Sequence, residues 1–167
     1  MKRIKFRSHW GSHLPVLIKL TSTTTGPILE LGSGMYSTPY LHWECYRTGR
    51  KLVTYELIKE FYDIAKSYEN SFHKVVHVKD WDLVDFSGDW SVAFVDHEPS
   101  ERRGRDALRV GHADYIIAHD AMKSELFKYG YDDAFDKFKY QFRYKGARPW
   151  TMVLSNKFDL KNFTVKP

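Results

Sequence analysis

Two short clusters of acids and imidazoles could move protons or hold a cation: Asp96-His97-Glu98 and His119-Asp120. Carboxylates ligate hard cations and accept hydrogen bonds, and an imidazole that titrates near neutrality suits general-base work. A third feature is the glycine turn Gly32-Ser33-Gly34, reached through Ile28, Leu29, Glu30 and Leu31. Glycines let a backbone approach a ligand closely, and a helix starting just afterwards offers its N–H groups. Arg102, Arg103 and Arg105 follow the first cluster. Their forks suit a carboxylate or phosphate, and pairing with Glu101 and Asp106 on a solvated helix is an equally good use of them.

These groups need elements to place them. "PILEL" is an apolar run that ends in the glycine turn and reads as a buried strand, and "STPYLHWECYRTG" then reads as a helix stopped by Gly49. "KLVTYE", "HKVVHVKD", "WSVAFVDH" and "ADYIIAHD" read as four further strands, alternating with helices over "LIKEFYDIAKSYEN" and "SERRGRDALRVG". "SELFKYGYDDAFDKFK" is helical or broken-helical, while "YQFRYK" and "PWTMVLSNK", parted by Gly146-Ala147-Arg148, form an antiparallel hairpin. The expected fold class is α/β: a three-layer αβα sandwich with a seven-stranded, mostly parallel sheet closed by a C-terminal antiparallel hairpin. The chain is read as one domain, with an N-terminal helix or lid over 1–26, a core over 27–156 and a tail over 157–167.

A chain of 167 residues can bury a real core. Its net charge of +5 suits anionic substrates or nucleic acid without selecting either. Cys45 is the only cysteine, which excludes an internal disulfide and a cysteine-rich metal site. No apolar run approaches membrane-spanning length, and "LPVLIKL" is short and interrupted by Lys19, so neither membrane nor signal peptide is expected and the cytoplasm is the expected location.

The ligand of the glycine turn narrows by elimination. A dinucleotide fingerprint would need glycine where Ser37 stands, and no phosphate-binding Gly-Lys-Ser/Thr follows the turn. A carboxylate at Glu30 would repel a pyrophosphate but suit a cationic ligand. Glu30-Leu31-Gly32-Ser33-Gly34 resembles the first motif of the class I S-adenosylmethionine-dependent methyltransferases, with Tyr36 at that family's third glycine position. The resemblance runs from about Pro27 to Asn156. It implies that Glu30, Gly32, Ser33, Gly34 and Ser37 contact the cofactor. It further implies that Glu56, 22 residues after Gly34, takes the ribose hydroxyls, that Asp80 takes the adenine amine with Trp81 on the ring, and that Asp96 faces the reacting centre.

In site layout the chain resembles the small-molecule O-methyltransferases. That implies Asp96, His97, His119 and Asp120 as catalytic candidates, with His97 or His119 as general base. It also implies a small, hydroxylated acceptor, neutral or anionic, held by Arg102, Arg103, Arg105 and Trp10, with "HWGSH" (His9 to His13) as a lid. Catechol-type enzymes of the group hold a metal at positions matching Asp96, His119 and Asp120. Oxygen ligands would suit Mg²⁺, whereas imidazole at His119 favours Mn²⁺, Fe²⁺ or Zn²⁺. The group's lysine beyond the strand-four acid is replaced by Pro99 and Ser100. No Asn/Asp-Pro-Pro-Tyr/Phe motif supports base methylation and no Pro-Cys nucleophile supports cytosine methylation, so nucleic acid is not the favoured partner. RNA or protein methylation, and a non-catalytic cofactor-binding or regulatory subunit, are the alternative classes. A chain this short leaves a shallow acceptor pocket, open to completion by a partner or a homo-oligomer.

Overall fold

A computed structural model describes residues 7–165. Seven strands form one sheet in the order β3-β2-β1-β4-β5-β7-β6. They are β1 (Ile28–Leu31), β2 (Leu52–Glu56), β3 (His73–His77), β4 (Val92–Val95), β5 (Tyr115–Ala118), β6 (Tyr140–Tyr144) and β7 (Thr151–Ser155). The first five run parallel, and β7 enters antiparallel between β5 and β6. Among the described residues four α-helices accompany them: α1 (Leu14–Thr23), α2 (Ser37–Thr48), α3 (Lys59–Lys66) and α4 (Arg103–Arg109). The expected seven-stranded layout with its closing hairpin is what the chain adopts. No described helix is long and apolar enough to cross a membrane.

The period of two along each strand sorts its side chains between two apolar layers. Leu29, Leu31, Ala93, Val95, Ile116 and Ala118 pack on one face with Trp81, Phe86 and Ala107. Ile28, Val92, Phe94 and Ile117 pack on the other with Val16, Leu17 and Leu20 of α1 and Leu41 and Cys45 of α2. Because register holds across the parallel strands, the carboxyl ends of β1, β4 and β5 finish side by side. The N–H of Asp96 donates to Leu31 O, and that of His119 donates to Val95 O.

One local reading narrows and another changes. The segment after β5 takes the broken form, with three separate 3₁₀ turns at Lys123–Glu125, Phe127–Tyr129 and Phe135–Lys137. Gly130 breaks it, with φ +63°, and the chain crosses α4 backbone to backbone at Gly104, where an added Cβ would lie 1.6 Å from Gly130 O. That crossing lays Tyr129 over the Arg103 guanidinium, 4.9 Å from ring centre to Cζ. The change is at β3, which stops at His77, three residues before Asp80.

Candidate active site

The glycine turn is shaped by its neighbours. Gly32 has φ +88°, and a Cβ there would come within 2.6 Å of Asp96 O and of His97 Cα. Only glycine fits a left-handed position pressed against the end of β4. The Gly34 N–H donates to Thr38 Oγ1 (2.9 Å), and that hydroxyl donates to Glu30 (3.0 Å to either oxygen). Thr54 Oγ1 also donates to Glu30 Oε2, at 2.7 Å.

Glu30 therefore stands beneath the turn and not in the ligand's space. It shares the face of Ile28, is fully buried, and faces Thr54 across the β1–β2 register. Direct contact between Glu30 and a cofactor is corrected to support of the turn through Thr38. Burial pushes its carboxyl up to about 7, although bonds from Thr54, Ser37 and Thr38 oppose the shift. In the unfolded chain the group would titrate near 4.5. Between those values the folded chain holds a proton that the unfolded chain has lost. Glu30 therefore contributes stability below about pH 4.5 that is lost as pH rises through about 7. Relative to Glu30→Gln, the wild type should lose up to about 3 kcal/mol across that window, measured by urea unfolding at a series of pH values.

Glu56, at the end of β2, is placed as expected beside the turn. Its Oε2 accepts from the N–H (2.6 Å) and hydroxyl (2.9 Å) of Ser33, and its Oε1 accepts from the Ile58 N–H (2.7 Å). Burial raises its pKa. Glu56, Ser33, Gly34 and Ser37 all open on one cavity of about 310 Å³. That is near the lower end of the roughly 300–1,000 Å³ usual for small-molecule pockets. Ile58 and Phe61 add apolar wall beside Glu56.

Asp80 and Trp81 lie elsewhere. With β3 ended, exposed Asp80 caps the 3₁₀ turn Trp81–Leu83 by accepting from the Asp82 N–H (2.9 Å). The Trp81 indole N–H donates to Glu98 O (2.8 Å), and its ring stacks on His97 at 4.2 Å between centroids. His97 is equally committed: its ring is fully buried, with Nε2 3.1 Å from Asp106 Oδ2. Trp81 cannot pack on adenine nor His97 take an acceptor's proton while both fill this buttress. Asp106, held down to about 2 despite burial by its His97, Arg102 and Arg109 partners, anchors it.

Across the cavity from Glu56, the ends of β4 and β5 build a charge cluster. Arg103 is 4% exposed; its Nη1 lies 2.8 Å from both Asp96 Oδ1 and Asp120 Oδ2, and its Nε donates to His97 O. Asp120 adopts φ +59°, a left-handed conformation that aspartate tolerates better than most residues. His119 Nδ1 lies 3.2 Å from Asp96 Oδ2. Burial acts against ionisation of Asp96 and of His119 alike. Their attraction to each other, with Arg103 beside Asp96, overcomes it and holds Asp96 well below the usual carboxylate range. His119 is raised, burial notwithstanding, by Asp96.

Of the three arginines expected to hold substrate, only Arg103 reaches the cavity, and its fork is occupied by protein carboxylates. Arg102 pairs with Asp82 and Asp106, and Arg105 pairs with Asp82 on the surface, so both are corrected to ties on α4. From the N-terminal segment, His9, Trp10 and His13 line the cavity. His13 and Tyr129 are site residues that sequence reasoning did not single out. Their only signals were the second histidine of "HWGSH" and an aromatic beside Gly130.

The Mg²⁺ site implied by resemblance does not fit. Asp120 turns to Arg103, one of the remaining positions is imidazole, and the expected lysine is missing.

Strand order, the glycine turn after β1 and the acid ending β2 define the fold of the class I S-adenosylmethionine-dependent methyltransferases. The chain is similar to the O-methyltransferase from Bacillus cereus in complex with SAH, S-adenosylhomocysteine. The TM-score is 0.64 at 17% identity, covering 90% of this chain and 82% of that one. It is similar also to the SAH-bound methyltransferase of Podospora anserina (TM-score 0.62, 12% identity, 92% and 80% covered). The N-terminal domain of human METTL16 is a third likeness, with TM-score 0.58, 14% identity, and 90% and 68% covered. At such identities the likeness is one of fold. No protein-family profile matches the sequence, and no curated protein does either.

Proposed function

We propose that this chain is an S-adenosylmethionine-dependent methyltransferase acting on an oxygen of a small hydroxylated acceptor. The observation that carries the reading is one cavity with two unlike ends: the glycine turn and Glu56 on one side, Asp96, His119 and Arg103 on the other. The SAH complexes among the similar folds support the cofactor. Glu56 would take the ribose hydroxyls, giving up its bonds to Ser33, while Ile58 and Phe61 replace Asp80 and Trp81 as the surface for adenine. Gly32 and Gly34 leave backbone close to the methionine part, and the acids of the cavity favour a sulfonium over its neutral product.

Methyl transfer needs an acceptor oxygen in line with the methyl–sulfur bond. S-adenosylmethionine would supply a methyl group for that oxygen and leave as a neutral thioether, and the hydroxyl proton would pass to a group at the acceptor end of the cavity, where Asp96 and His119 stand. His9 and Trp10 of the Ser8–Gly11 turn line the cavity, and a wall on that side supports a small molecule in preference to a polymer. A carboxylate or phosphate on that acceptor would have to compete with Asp96 and Asp120 for Arg103, so an uncharged hydroxylated compound fits better than the anionic one.

Glu56→Ala should weaken S-adenosylmethionine binding about 10- to 100-fold, as expected for the loss of charge-assisted bonds worth about 1.5–3 kcal/mol. Glu56→Gln, which keeps one acceptor oxygen for a ribose hydroxyl, should lose less. Calorimetry on both variants, with unfolding curves to show an intact fold, checks this. Undiminished affinity in Glu56→Ala would refute the ribose assignment.

A further inference from the structure

His13 is 2% exposed, and neither of its ring nitrogens has a hydrogen-bond partner. Leaving such groups unpaired in the interior costs about 1–3 kcal/mol each, so the ring calls for a ligand. It lies edge-on to His119, with centroids 4.8 Å apart, and against Phe94. Its own nitrogen, one oxygen of Asp96 and one nitrogen of His119 all lie within 4.8 Å of one another.

Counting protons sharpens the point. Ser12 Oγ donates its single hydrogen to Pro149 O at 2.8 Å. It can therefore only accept from His119 Nε2, 2.9 Å away, and that nitrogen carries a proton. In a neutral His119 the other nitrogen, Nδ1, would then turn a bare lone pair toward Asp96 Oδ2, 3.2 Å off. A proton or a metal ion must therefore sit between the two atoms. Asp96 keeps its other oxygen on Arg103, so Oδ2 is available to a cation without breaking that pair.

We propose that His13, Asp96 and His119 form a binding site for a divalent first-row transition metal such as Zn²⁺, Fe²⁺ or Mn²⁺, with its remaining positions open to the cavity. Two imidazoles and one carboxylate suit these ions and not Mg²⁺. The 3.2 Å between Nδ1 and Oδ2 is close to the roughly 3.3 Å edge of a tetrahedron with bonds of about 2.0–2.1 Å. Ser12, fixed on the Pro149 carbonyl, takes the far N–H of His119 and orients the ring, as an outer partner does for a metal-bound histidine. The set differs from the one implied by resemblance in its third member. His13, from the segment before α1, takes the place of Asp120, which gives one oxygen to Arg103 and keeps the other 3.8 Å from His119 Nδ1, outside the group. A metal here would tie that segment across the ends of β4 and β5 and present a Lewis acid to a hydroxyl in the cavity.

The proposal does not depend on the methyl-transfer reading, because binding is measured without any cofactor. Chelator-treated protein is titrated with Co²⁺ at neutral pH, following its visible ligand-field absorption, and the ion is then displaced by Zn²⁺. Wild type should bind one ion per chain. His13→Ala should weaken binding at least about 100-fold, beyond the 10- to 100-fold typical of an outer-partner change. Asp120→Asn, which removes a neighbouring charge and no ligand, should weaken it by less than about 10-fold. Full loss in Asp120→Asn with full retention in His13→Ala would overturn the proposal, as would no binding by wild type. Should His13→Ala fail to fold, X-ray absorption of Zn²⁺-loaded wild type decides: two imidazole ligands are expected, and one or none refutes it.

Discussion

Arg103→Met is expected to destabilise the protein by about 3–5 kcal/mol, the range for stripping one partner from a buried charge network. Arg103 is the hub of the site. Its fork meets Asp96 and Asp120 at 2.8 Å and the backbone oxygen of His97, and Tyr129 covers its face at 4.9 Å. Methionine fills most of the volume but leaves two carboxylates facing each other with only His119 to offset them. The loss should therefore shrink in acid, where those carboxylates take up protons. Arg103→Lys should recover only part of it, since one ammonium cannot span acceptors that the planar fork reaches together. Urea unfolding at neutral and acidic pH measures both effects. A loss under about 1 kcal/mol, or one independent of pH, would contradict this role.

Gly32→Ala should cost a comparable amount, roughly 2–5 kcal/mol, and remove cofactor binding along with it. A left-handed backbone costs an L-residue about 1–2 kcal/mol. The new methyl would also sit 2.6 Å from Asp96 O and His97 Cα. Both are backbone atoms at the end of β4, so no side chain can swing aside, and overpacking adds about 1–3 kcal/mol. Relief would part β1 from β4 where the two halves of the site meet. Unfolding and cofactor titration of the variant test this together, and near-wild-type stability would mean that the turn is looser than its geometry implies.

Strand order and the convergence of chemistry at the strand ends were legible because both follow from alternating elements and parallel register. The glycine turn was legible for the same reason, and so was Glu56, which sits one strand over from it. The charge of Glu30 and its place in the motif point to a ligand contact, but strand parity decides otherwise. The period of two puts it with Ile28, under α2, while Leu29 and Leu31 take the other face. Asp80 and Trp81 failed at a strand end: β3 stops at His77, and a 3₁₀ turn carries the tryptophan under Glu98. His97 reads like its neighbours Asp96 and Glu98, but it pairs with Asp106 and packs on Trp81 from segments far along the chain. Such long-range pairings leave no mark on local spacing. His13 was hidden for the same reason, since its placement depends on how α1 lies across the sheet.

The central claim, that the cavity between Glu56 and Asp96 holds S-adenosylmethionine, is tested most directly by titrating the protein calorimetrically with S-adenosylmethionine, its demethylated product and NAD⁺. The structure predicts one site per chain for the first two, weakened in Glu56→Ala and lost in Gly32→Ala, and no binding of NAD⁺, which lacks a fingerprint here. Absence of heat with both sulfur nucleosides from folded wild-type protein would contradict it.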